Sequence, residues 1–251
     1  MKQFDILTST LTSSVRAWSG INSRAAGIKP ESPLQLFDIE ACPFCRLVRE
    51  ALTELDLDAE IYPCPRDGRR FRPQVEQRGG KLQFPFLVDP NTGLEMYESL
   101  EIIKYLYQTY GERGLPLKWR FGNLQKINSA LASTFRPVHG LSAVSSEQPL
   151  QLLELYSFEA SPFARPVREL LCELEIPYIL RSCGRSRLDE WVPPPIRQRF
   201  GLVPKSELHN RVALQQREGR VAIPFLLDPN TDTALFESTA ILDYLRNTYA
   251  S

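Results

Sequence analysis

The chain repeats itself, and no other feature limits its possible folds as strongly. Leu36 to Leu55, LFDIEACPFCRLVREALTEL, aligns without gaps to Leu155 to Leu174, LYSFEASPFARPVRELLCEL, at an offset of 119 residues. FPFLVDPNT from Phe84 aligns with IPFLLDPNT from Ile223, and YESLEIIKYL from Tyr97 with FESTAILDYL from Phe236, both at an offset of 139. The second copy therefore holds about twenty extra residues between Cys183 and Val221. Upstream, LTSTLTSSVR from Leu7 resembles INSALASTFR from Ile127 at an offset of 120. Each unit is expected to be a leading helix followed by a compact domain, over 1–114 and 115–251, both within the usual domain size.

Within a unit the pattern reads strand, helix, strand, helix, strand, strand, helix. LQLFDI is short and alternating, and the run after Cys45 puts Leu47, Val48, Ala51, Leu52 and Leu55 on one helical face. IYPC reads as a second strand. PFLVDPNTG followed by LEMYES reads as a hairpin turning at Asp-Pro-Asn-Thr-Gly. Ser99 begins a helix that buries Ile102, Ile103 and Leu106. This order implies an α/β sheet covered on both faces.

Thirty Lys plus Arg balance thirty Asp plus Glu, so no overall attraction to nucleic acid or anionic lipid is built in. Five widely spaced cysteines do not form the framework of a disulfide-stapled secreted domain, which points to a reducing compartment: the cytoplasm, or an organelle stroma as the alternative. No apolar run reaches the roughly 18 residues of a membrane span. The N-terminal segment lacks the apolar core and cleavage site of a secretory signal. It is rich in Ser and Thr, as transit peptides are, but Asp5 and the repeat argue that it belongs to the fold.

The chemistry concentrates at Cys42-Pro43-Phe44-Cys45, after the first strand and at the start of a helix. A thiolate there meets unpaired backbone N–H groups and the positive end of the helix dipole, which lowers its pKa. Cys42 is the expected nucleophile. Cys45, one turn later, is placed to attack a mixed disulfide on Cys42 and release the partner as thiol. A zinc half-site would need two more ligands, and with only His139 and His209 in the chain no second cluster is visible, so no metal is expected. An inert core pair is the other reading. Pro85, opening a strand, suggests a sheet edge or a special turn with a cis bond; an ordinary trans proline remains open.

The C-P-F-C pair, the proline before the third strand, and Glu98-Ser99 before a YL-containing helix together resemble the glutaredoxin and glutathione S-transferase N-terminal-domain group. The resemblance covers both units. It implies two tandem thioredoxin-like domains, each with a mixed four-stranded sheet and flanking helices. It also implies glutathione as co-substrate: the backbone of Phe84, before a cis Pro85, would pair with the cysteinyl part, and Glu98 and Ser99 would hold the γ-glutamyl end. Elementary chemistry agrees, because a helix N-terminus with a hydroxyl suits a carboxylate and a neighbouring carboxylate suits an ammonium. Ser99 also reads as a plain N-cap. Arg46, Arg66 and Arg69 are candidates for the glycyl carboxylate, against the ordinary reading of solvated surface charges.

The second unit reads Ser161-Pro162-Phe163-Ala164, which rules out dithiol chemistry there. Ile223, Pro224, Glu237 and Ser238 keep open a second glutathione pocket in which Ser161 would bind the thiol; the preferred reading is a degenerate unit kept for packing or partner binding. Cys64 and Cys183 correspond by the repeat, and buried, idle thiols are expected in preference to a regulatory disulfide. Trp191-Val192-Pro193-Pro194-Pro195 in the extra segment reads as a proline-stiffened surface loop. Neither unit is expected to be followed by an all-helical segment of the kind glutathione transferases carry. The expectation is therefore a glutaredoxin-like thiol–disulfide oxidoreductase acting on protein disulfides or glutathionylated proteins. Transferase chemistry and a non-catalytic assembly module are the alternatives.

Overall fold

A computed structural model describes residues 3–192, 196, 199–201 and 206–251. The first unit runs α1 (Gln3–Val15), β1 (Leu34–Asp38), α2 (Pro43–Leu55), β2 (Ala59–Pro63), α3 (Arg72–Gly79), β3 (Phe86–Asp89), β4 (Leu94–Tyr97) and α4 (Ser99–Thr109). A short α5 (Leu117–Arg120) leads into α6 (Gly122–Ser133). The pattern then returns as β5 (Leu153–Ser157), α7 (Arg165–Glu173), β6 (Tyr178–Ser182), α8 (His209–Glu218), β7 (Phe225–Asp228), β8 (Thr233–Phe236) and α9 (Ser238–Tyr249). The order of strands and helices is the one that hydrophobic periodicity predicts.

Each unit contributes four strands, with β1–β2 and β5–β6 parallel and the hairpin strands antiparallel. The expected pair of separate sheets is a single sheet of eight strands, ordered β4-β3-β1-β2-β6-β5-β7-β8. The join is β2 against β6, antiparallel, with Glu60 opposite Ile179. Those two residues are counterparts at the 119-residue offset, so the units are related by a local two-fold axis between them. Pairing through β2 and β6 removes two exposed strand edges, which would otherwise invite aggregation.

Leu34 and Leu36 of β1, Val48 and Leu52 of α2 and Ile102 and Leu106 of α4 form one apolar core with Leu153, Leu155, Leu171, Ile241 and Leu245 of the second unit. Smaller clusters line the opposite face: Phe37, Phe71, Val75 and Phe86 in one unit, Tyr156, Leu214 and Phe225 in the other. The hairpin turns are tied down alike. Asp89 accepts from Tyr105 at 2.6 Å and from Tyr110, and Asp228 from Tyr244 at 2.7 Å and Tyr249 at 2.5 Å.

The leading segments cross over. Ser129 of α6 donates its hydroxyl to the Pro43 carbonyl at 2.7 Å, and Ser13 of α1 donates to the Ala160 carbonyl at 2.9 Å. Beyond α1, the Gly20 carbonyl accepts from Ala160 N–H; beyond α6, the Gly140 carbonyl accepts from Ala41 N–H. Both glycines have positive φ, +77° and +68°, and a Cβ on either would come within 2.9 Å of a glutamate Cβ, Glu159 or Glu40. Only glycine fits so close an approach.

Pro85 and Pro224 are both cis and precede β3 and β7, which are interior strands; the special-turn reading of these prolines holds and the edge reading does not. The Asp5 segment belongs to a helix of the fold, α1. Among the described residues no helix is long and apolar enough to cross a membrane. Trp191 closes a 3-10 turn from Leu188, with the Arg185 guanidinium 4.7 Å from its ring centroid. Pro193–Pro195 lie outside the described residues.

Candidate active site

Cys42 is the N-cap of α2, in extended conformation, and Pro43 takes the first helical position, where its missing N–H costs nothing. Cys42 is partly exposed, Phe44 is 42% exposed, and Cys45 is fully buried. The two thiols are driven apart. A hydrogen bond from the Cys45 side chain, the N–H groups of Cys45 and Phe44, and the charge of Arg49 lower the Cys42 thiol to about 7, against the opposing effect of burial. Burial, and then the hydrogen bond and charge of Cys42, push Cys45 well above the ordinary thiol range. One sulfur is readied as thiolate and its partner is kept as thiol.

Beneath this pair lies a buried ionic network that sequence reasoning missed. Arg49, on the second turn of α2, pairs with Asp38, with Glu40 at 3.2 Å and with Glu159 of the second unit at 3.0 Å. Reciprocally, Arg168 of α7 pairs with Glu159 and with Glu40 of the first unit, both at 3.1 Å. Arg165 also reaches Glu159, at 3.2 Å. Burial opposes ionisation of Glu159, but Arg168, Arg49, Arg165 and Arg46 outweigh it and hold the carboxyl well below its ordinary range. For Asp38 burial wins over Arg49, and the carboxyl is raised. A signal was present in the repeat: Glu40/Glu159, Arg46/Arg165, Arg49/Arg168 and Glu50/Glu169 are identical charged pairs within stretches that are otherwise largely apolar. On each unit Arg16–Glu50 and Arg136–Glu169 close the network with contacts of 2.6 Å.

Ser99 is buried and is the first residue of α4; the N-cap is Glu98, so the plain N-cap reading of Ser99 fails. Glu98 has φ of +69°, and its counterpart Glu237 +68°. A left-handed conformation without glycine is held only where surrounding structure imposes it, often at functional turns. Glu98 is exposed and accepts from Gln83 at 2.7 Å. Phe84 is half-buried, with the Arg72 guanidinium 5.2 Å from its ring centroid. Arg46 is buried and lies 3.8 Å from Glu159, so it is not a surface cation waiting for a carboxylate; Arg66 and Arg69 are exposed.

In the second unit the counterpart hydroxyls are bonded internally. Ser161 is buried, and its hydroxyl accepts from Ala164 N–H at 3.1 Å. The Ser238 hydroxyl donates to the Phe163 carbonyl at 2.7 Å. Trp18 and Ile21, from the leading segment of the first unit, pack with Phe158, Ala160 and Ile223. At the position matching Trp18 the first unit's site has Val138, which is 67% exposed. Cys64 and Cys183 are fully buried, and burial pushes both thiols up, as expected of core cysteines.

Comparison with known proteins matches the model for the glutathione S-transferase, N-terminal domain, twice, over residues 36–114 and 155–251. No curated protein matches the chain. Among solved structures, the Bombyx mori glutathione transferase BmGSTD1 is 25% identical over 34% of this chain and 39% of that one, with a TM-score of 0.31. The same enzyme in complex with GTT is 24% identical over 41% of this chain and 50% of that one, with a TM-score of 0.33. The chain thus spans half or less of the solved relatives it resembles.

Proposed function

Because the chain belongs to the glutathione S-transferase N-terminal domain family, with two matched segments, we propose that it is a glutathione-dependent thiol–disulfide oxidoreductase working through Cys42. The observation that carries this reading is the opposed pair at the start of α2, a Cys42 thiol lowered to about 7 beside a Cys45 thiol pushed up. A Cys42 thiol lowered to about 7 holds more thiolate, the nucleophilic form, at neutral pH than an ordinary thiol does, and makes Cys42 a better leaving group in the later step.

In the reaction, the Cys42 thiolate attacks one sulfur of a glutathionylated protein. The old S–S bond breaks, the protein thiolate leaves and takes a proton, and a Cys42–glutathione disulfide remains. A free glutathione thiolate attacks that disulfide, giving glutathione disulfide and restoring Cys42; one free glutathione is consumed, its sulfur oxidised as the protein sulfur is reduced. With a protein disulfide as substrate, Cys42 forms the mixed disulfide, Cys45 attacks it after losing its proton and releases the dithiol, and two glutathiones then reduce the Cys42–Cys45 disulfide, leaving as glutathione disulfide. Phe84, Glu98 and Ser99 hold the tripeptide in this scheme. In this reading Ser161 and Ser238 of the second unit do not serve a second working site, because both are buried with their hydroxyls bonded internally.

The test is a Cys45→Ser variant treated with glutathione disulfide, in which one glutathione should be trapped on Cys42 and released by reduced glutathione. Absence of that adduct, with a Cys42 thiol titrating near 8.5, overturns the reading. Conjugation of glutathione to an electrophile that survives Cys42→Ser would assign transferase chemistry in its place.

A further inference from the structure

The two leading helices are built inside out. On α1 the buried positions are Thr8, Ser9, Thr12 and Ser13; Thr8 and Thr12 donate back to carbonyls of their own helix, and Ser13 donates to the Ala160 carbonyl of the second unit at 2.9 Å. The outward positions are Phe4, Leu7 and Leu11, exposed by 67, 57 and 40%. Helix α6 does the same, burying Gly122, Ser129 and Ala132 and exposing Leu124, Ile127 and Leu131 by 62, 60 and 57%. An i, i+3, i+7 apolar stripe normally faces a core.

The stripes lie side by side. Arg16 donates to the Gln125 carbonyl and Asn128, while Arg136 donates to the Asp5 carbonyl and Thr8, so α1 and α6 run antiparallel in contact. With roughly 200 Å² available to each free side chain, the six exposed fractions leave on the order of 700 Å² of apolar surface. That exceeds the largest patch of an ordinary monomer, about 300–600 Å². It approaches the roughly 800 Å² that each partner contributes to a standard interface.

We propose that this face is covered by the same face of a second copy of the chain, α1 and α6 of one protomer packing on α1 and α6 of its partner. Three features select that occupant. The area matches one partner's share of a stable dimer. The face is made of two helices related by the chain's local two-fold axis, and such a surface is readily self-complementary in a two-fold dimer. Its charge is nearly nil: Asp5 is the only charged residue of α1 and Lys126 of α6, whereas a helix that lies on anionic lipid carries a Lys/Arg-rich flank. Both helices lie outside the segments that match the family model.

Light scattering on the eluting chain at micromolar concentration should give twice its 28.7 kDa. The Leu7→Glu/Ile127→Glu variant, whose changes fall at exposed positions, should give half the wild-type mass with unchanged far-ultraviolet circular dichroism. If that variant does not fold, hydrogen exchange of the wild type decides, with α1 and α6 amides protected more strongly at high than at low concentration. A wild-type monomer, a dimer that persists in the folded variant, or concentration-independent exchange overturns the proposal. So does a monomer that sediments with anionic phosphatidylserine vesicles through these leucines, which would assign the face to lipid.

Discussion

Glu159 of the second unit accepts a hydrogen bond from Arg49 of the first at 3.0 Å, both side chains being almost wholly buried. The guanidinium it partly neutralises sits on the same helix as Cys42 and Cys45 and is among the charges that lower the Cys42 thiol. The unit without cysteines in its motif therefore supplies part of the electrostatic floor beneath the unit that has them.

Removing that carboxylate should be costly. Glu159→Ala leaves Arg49, Arg165 and Arg168 buried with a counter-charge missing, and loss of one member of a buried ionic cluster costs about 3–5 kcal/mol. Urea denaturation monitored by tryptophan fluorescence should show the unfolding free energy fall by that amount, as a lower midpoint at unchanged slope. A change below about 1 kcal/mol would mean that water reaches the cluster.

The pair at the start of α2 makes its own prediction. Cys45→Ala removes the hydrogen bond that most lowers Cys42, so the Cys42 thiol should move from about 7 toward the ordinary value of about 8.5. The pH dependence of iodoacetamide alkylation, followed by mass spectrometry on Cys42, measures it. At pH 7 the variant should react several-fold more slowly than the wild type, in proportion to its smaller thiolate fraction.

A cysteine placed at the counterpart position should not become a second Cys42. Ser161→Cys puts a thiol where the side chain is 1% exposed and the surrounding loop is covered by Trp18 and Ile21. In the native protein it should react with an aromatic disulfide reagent on the order of a hundredfold more slowly than Cys42, through local opening only. Comparable rates would mean that the second site opens freely.

Asp56 should make stability depend on pH with the opposite sign to an ordinary paired carboxylate. Burial, and then the charge of Asp58, raise its carboxyl to about 7, while Lys29, the His209 N–H and Arg211 oppose. The folded state thus holds the proton that the unfolded chain releases near pH 4, and stability falls as pH rises from about 4 to 7. Asp56→Asn should remove that contribution and stabilise the protein at pH 8 by about 1–3 kcal/mol. Asparagine also tolerates the left-handed backbone at this position, where φ is +53°. Thermal unfolding at pH 5 and pH 8 tests both the sign and the size.

Much of this molecule was open to reading from residues alone, because the features concerned are local. The repeat, the strand and helix order, the turn at Asp89-Pro90-Asn91 and the helix beginning at Ser99 all follow from periodicity and turn chemistry within a few residues. So does Cys42 as the less buried sulfur of its pair, since position at a helix start decides it. What the tertiary structure alone decided concerns groups that meet across more than a hundred residues. The merging of two sheets into one depends on β2 and β6 both presenting free edges. The burial of Arg46, which sequence reasoning left among the possible ligands, depends on Glu159 arriving from the other unit. The packing beside Ser161, at Phe158 and Ala160, depends on Trp18 and Ile21 crossing over from the first. A charged residue has the same letter whether solvated or neutralised in a core, and only the partner brought to it by the fold sets the difference.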